Sequence, residues 1–148
     1  MFECWLDSGV LCRALEKKLL HVRLHDIRKH AAGGRRRADD MPYGGGGGMV
    51  MKPEPLFRAV ASLKPGKKTP VVLLSPSGRT FNNSVAREYA TRKRLIFICG
   101  RYEDVDERVR KALVTDEITI GDYVLTGGEI PCMVVVECMA RFLPGVLG

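Results

Sequence analysis

Leu6, Val10, Leu11 and Leu15 recur at helical spacing and predict a helix over residues 3–18. The period then changes. Leu20, Val22 and Leu24 alternate with His21, Arg23 and His25, the pattern of a strand. Residues 39–55, DDMPYGGGGGMVMKPEP, hold too much glycine for a regular element. A short helix is expected over 56–63 and a turn-rich link over 65–70. From Val71 the chain settles into strand, loop, helix. Apolar strands are expected at 71–74 and 95–99, and shorter ones at 118–120 and 123–125. Helices are expected from an Asn83 or Ser84 cap to Lys93, over 105–113, and from Pro131 through 132–142. This alternation implies an α/β fold with a mostly parallel sheet flanked by helices. In such folds ligands sit outside the carboxyl ends of the strands. Three loops fall there: 75–78, 100–103 and 123–128.

The 148 residues suit one domain over 1–148. No apolar run is long enough for a bilayer and no signal peptide opens the chain, so a cytoplasmic protein without a membrane partner is expected. The five cysteines are odd in number and form no CxxC, which argues against a disulfide framework or a zinc site and for reduced, mostly buried thiols. The net charge of +7 favours a polyanionic partner. Much of the excess lies in KKLLHVRLHDIRKHAAGGRRR, which contains one acid, Asp26. A solvated basic face accounts for that block equally well.

Few side chains offer chemistry. The glycine run at 44–48 could cradle a phosphate or allow close approach to a ligand, but no GK[ST] or GxGxxG accompanies it, and a plain loop explains it too. His21 and His25 are four apart, yet the alternation places them on a strand and no Glu follows His21, so no metal site is expected. No Ser-His-Asp or Cys-His set can be assembled. Acids crowd 103–107, where a helix start favours them. Glu103 stands apart because it follows Gly100-Arg101-Tyr102 at a strand's carboxyl end, where a carboxylate could face a cationic ligand. Arg141, on an apolar helix end, suits either the helix dipole or an anion clamp. ITIGDYVLTGGEIPC, residues 118–132, is mostly backbone and apolar side chains.

DDMPYGGGGGMVMKPEPL, LLSPSGRTF, ICGRYEDVDERV, IGDYVLTGGEIP and RFLPGVLG occur in this order. Together they resemble the bacterial tRNA (guanine-N1)-methyltransferases, members of the SPOUT class with a carboxyl-terminal trefoil knot, over nearly the whole chain. The resemblance implies S-adenosylmethionine as cofactor, held bent by three knot loops. These would contribute Leu74, Ser75 and Pro76; Gly100, Arg101, Tyr102 and Glu103; and Ile120, Tyr123, Leu125, Gly127 and Gly128. Adenine, an apolar plate with a hydrogen-bonding rim, suits such a lining. Glu103 would lie near the methionine end, and Tyr43 and Gly48 would close the substrate side. The implied reaction methylates N1 of the guanine 3′ of the tRNA anticodon, with Arg141 stabilising the O6 anion. Also implied is an antiparallel homodimer with each active site at the interface. The family's first strand precedes the position of Met1. Its general-base aspartate and helical tRNA-gripping domain follow PGVLG. All three are therefore expected to lie outside this chain. Two further readings remain: a basic α/β module that binds RNA without chemistry, and a fragment without a stable fold.

Overall fold

The computed structural model describes residues 2–32, 38–40, 49–101 and 105–147. Its centre is a parallel sheet in which β3 (Val71–Thr80) lies between β4 (Ile96–Cys99) and β5 (Asp116–Thr119). The core shows why these residues choose that place. Side chains alternate across a strand, and both faces of β3 are buried over its first five residues, 71–75. Val72 and Leu74 face a layer formed by α2 (Gly9–Glu16), α4 (Asn83–Ala90) and α6 (Glu129–Ala140), where Leu11, Val85, Tyr89, Val135 and Met139 meet them. Val71 and Leu73 face the opposite layer, from α3 (Pro53–Ser62) and α5 (Glu107–Leu113), where Leu56, Val60 and Val109 are buried. A strand covered on both sides reads as a continuous apolar run, as VVLL does.

The strand and loop expected at 71–78 form one assigned strand with a break in register. Leu74 and Arg79 both pair with Ile118, so residues 75–78 swing out of the ladder and return. Gly78 makes this return possible: a β-carbon there would collide with the Glu117–Ile118 backbone.

Several sequence expectations are corrected. The helix over 3–18 is two helices, α1 (Phe2–Leu6) and α2, because Gly9 takes φ +62° after an extended Ser8. Residues 20–26 form no strand despite their alternation. They form no ladder with any of the described residues, and Leu24 is half exposed. Residues 39–55 do contain regular structure, a two-residue antiparallel pair of β1 (Asp39–Asp40) with β2 (Val50–Met51), followed by α3. The glycine run and Arg35 to Arg37 lie outside the described residues. The cap of α4 is Asn82, whose side chain accepts from the N–H groups of Ser84 and Val85, and the helix ends at Ala90, short of Lys93. Val105 forms a bridge to Met51, and α5 starts at Glu107 behind the Asp106 cap. Residues 123–125 form no strand. α6 begins at Glu129 and ends at Ala140, with Pro131 in its first turn, where no N–H is needed. Of the five free thiols only Cys132 is fully buried.

A polar network secures the amino end of β5. Arg79 donates to Asp116 from Nε (3.0 Å) and Nη2 (2.6 Å), and Tyr89 Oη donates to the same carboxylate at 2.7 Å. Burial alone would raise the Asp116 pKa; hydrogen bonds from Arg79 and Tyr89 outweigh it, and the net shift is downward. A carboxyl group lowered on folding stabilises fully above its unfolded pKa of about 4, and that stabilisation is lost as pH falls through the lower folded value. Thermal unfolding is therefore expected to move to lower temperature below about pH 4, and Asp116→Asn to flatten that dependence. At pH 7 the substitution is expected to cost about 2 kcal/mol in denaturant melts.

No helix among the described residues is long and apolar enough to cross a membrane.

Candidate functional site

The register break midway along β3, the carboxyl end of β4 and the chain after β5 converge on a cleft of about 350 Å³. Its walls come from three loops. The 75–78 excursion brings Ser75 and Pro76, with Leu74 beneath them. Gly100 follows β4. The chain from Ile120 to Gly128 supplies Ile120, Tyr123, Leu125, Gly127 and Gly128. Nine of the twelve expected cofactor-binding residues thus line one cleft. Ser77, Ile118, Thr119, Val124 and Pro131 line it too and were not singled out from sequence. Their signal was present, since each adjoins a loop expected at the site.

The cleft is short of side chains where backbone must come close. Gly128 is seated against the strands: a β-carbon there would lie 2.9 Å from Cys99 Cα, 3.0 Å from Leu74 Cβ and 3.1 Å from Gly100 N. Its N–H donates to Gly100 O at 2.7 Å, and Arg101 forms an antiparallel bridge with Gly127. The second and third loops are therefore joined along their backbones. Beneath them lie Cys99 and the buried Cys132. The Cys99 thiol is pushed well up by its hydrogen bond with Cys132 and by burial, so it stays protonated and acts as packing.

Arg101 is not a lining residue. Its side chain crosses Gly127, and Nε donates to Glu129 Oε1 at 2.5 Å. Tyr102, Glu103, Tyr43 and Gly48 lie outside the described residues. Arg141 is not brought to the cleft. It caps the carboxyl end of α6, thirteen residues from Gly128 or about 20 Å of helix, half exposed and donating to Glu137 Oε1 at 3.2 Å.

The α/β fold places this backbone-lined cleft where proteins with parallel sheets take their ligands. Comparison with known proteins narrows the class. A family model described as tRNA (Guanine-1)-methyltransferase TrmD matches residues 1–148. The chain is 53% identical over 150 residues to the tRNA (guanine-N(1)-)-methyltransferase of Dehalococcoides mccartyi and 54% identical over 151 residues to that of Moorella thermoacetica. Each match covers 100% of this chain and 60% of the relative. The crystal structure of tRNA (m1G37) methyltransferase from Aquifex aeolicus superposes with a TM-score of 0.89 at 39% identity, covering 99% of this chain and 66% of that one. The chain belongs to the tRNA (guanine-1)-methyltransferase family, and it spans about 60% of the length of the curated relatives it matches.

Proposed function

We propose that the cleft binds S-adenosylmethionine and that this chain is the cofactor-binding part of an enzyme that methylates N1 of the guanosine 3′ of the tRNA anticodon. The observation that carries the reading is the cleft itself, with backbone and apolar side chains at the strand ends and glycines where a β-carbon would not fit. Its volume and apolar walls suit an adenosine, whose rim can bond to bare peptide groups. S-adenosylmethionine supplies there a methyl carbon that accepts the guanine N1 electron pair as its bond to sulfur breaks. On the same reading the three loops are those of the family's trefoil knot. The family resemblance assigns Glu103 to the methionine end and Tyr43 and Gly48 to the substrate side. The net charge of +7 suits tRNA, and the cytoplasm is where tRNA is found.

Arg141 takes part from a second subunit. Ile130, Val134, Glu137 and Arg141 fall on one stripe of α6 at helical spacing, and all four are substantially exposed. Exposed Tyr123 and Val124 extend this surface to the rim of the cleft. Antiparallel pairing of α6 with its copy buries the apolar part of the stripe. It also sets the partner subunit's Arg141 near the amino end of α6, at the cleft. A guanidinium there stabilises the O6 anion that forms as guanine N1 gives up its proton to a base.

The test is methyl incorporation from labelled S-adenosylmethionine by the chain extended to the full length of its relatives. Label is expected in tRNA with guanosine 3′ of the anticodon and not in tRNA with adenosine there. Equal labelling of both would overturn the assignment of N1 of guanine.

A further inference from the structure

We propose that Glu129 is a positioning residue for this cleft: paired with Arg101, it holds the second and third loops together so that the backbone of Gly100, Gly127 and Gly128, which lines the cleft, keeps its shape for the cofactor. The inference rests on the cofactor reading above. Glu129 does not line the cleft and so has no direct claim on the ligand. It is the first residue of α6, where the helix dipole favours an anion, and its side chain is largely buried, at 18% exposure. Oε1 accepts from Arg101 Nε at 2.5 Å, while Oε2 lies where a Gly127 β-carbon would stand. The Arg101 stem covers the other side of that position, with Cγ 3.0 Å from it.

The pair thus spans the two loops directly over the backbone link that joins them, the Arg101–Gly127 bridge and the Gly128 N–H to Gly100 O bond. Beyond that link and the seating of Gly128 on the strands, the two glycine segments have no side chains of their own to pack and many backbone conformations to lose. A charge-assisted bond across the junction supplies the missing rigidity. Glycine at 127 is then required as much by the clamp as by the ligand, since a larger residue would separate Arg101 from Glu129.

The experiment compares the 148-residue chain with Glu129→Ala, Glu129→Gln, Arg101→Ala and the Ala/Ala double variant. Each is titrated with S-adenosylmethionine and with neutral S-adenosylhomocysteine, and amide exchange at Gly128 is followed without ligand. Glu129→Ala is expected to weaken both ligands by the same factor, about tenfold, and Glu129→Gln by less. The double variant should bind no worse than the weaker single one. Gly128 exchange should accelerate about tenfold while the unfolding midpoint changes little. A larger loss for the cationic ligand than for the neutral one would make Glu129 a direct charge contact and overturn the positioning role. Unchanged Gly128 exchange, or a binding loss matched by loss of cooperative unfolding in both Glu129 variants, would overturn it too. If the native chain takes up neither ligand while Gly128 exchange still responds to Glu129, the clamp stands and the cofactor reading fails.

Discussion

Gly128→Val is expected to abolish uptake of S-adenosylmethionine and to lower the unfolding midpoint by about 10 °C, corresponding to roughly 3 kcal/mol for a chain of this size. The reason is the kind of atom that surrounds this position. A side chain there would meet Cys99 Cα and Gly100 N, which are backbone, and Leu74 Cβ, the root of a buried side chain. None of these can swing aside. The valine must therefore push the start of α6 away from the strands, which separates the second loop from the third and opens the cleft. At Gly127 the nearest obstacles are the far end of Glu129 and the Arg101 stem, which can move. Gly127→Val is thus expected to unfold cooperatively near the native temperature while losing the ligand. Calorimetric titration beside thermal melts separates the two variants. Equal behaviour of both would show that the packing of Gly128 on β4 is not what shapes the cleft.

The second large effect concerns Arg141. In the full-length enzyme Arg141→Ala is expected to lower kcat by about 10²–10³-fold, the usual cost of removing one stabiliser of a developing oxyanion. Cofactor affinity should stay within about twofold, because no part of the cleft is touched. Arg141 lies at the opposite end of α6 from the cleft of its own chain, so the decisive arrangement uses mixed dimers. Arg141→Ala subunits keep the cleft, and Gly127→Val subunits keep the arginine. When equal amounts are co-refolded, half the dimers are mixed, and each mixed dimer has one site with both parts. About a quarter of native activity should return, as random pairing in a two-fold dimer requires. If Arg141 served its own chain, no mixture of these two variants would be active.

How far the sequence foretold this arrangement depends on what each residue needed to know. The apolar runs at 71–74 and 95–99 identified buried parallel strands because a covered strand needs no polar partner, and the loops after them marked the cleft. The alternation at 20–25 was equally clear, yet it produced no strand. Periodicity describes a face, whereas a strand also requires an edge to pair with. The break at Gly9 escaped notice because the apolar stripe from Leu6 to Leu15 runs across it. The 75–78 excursion was legible as a loop, but its return to pair Arg79 with Ile118 was not, since that depends on Gly78 passing close to β5. The clamp from Glu129 to Arg101 crosses 28 positions and was invisible without the fold. The same holds for Arg141, whose place on the α6 stripe was readable while its distance from the cleft was not.

The central claim is that these loops form an S-adenosylmethionine site, and calorimetric titration of the 148-residue chain tests it most directly. The account predicts saturable binding with one site per chain, lost in a Gly127→Val variant that still unfolds cooperatively. A native chain that unfolds cooperatively and takes up no cofactor would contradict it, and would leave a basic α/β module that binds RNA through its charge alone.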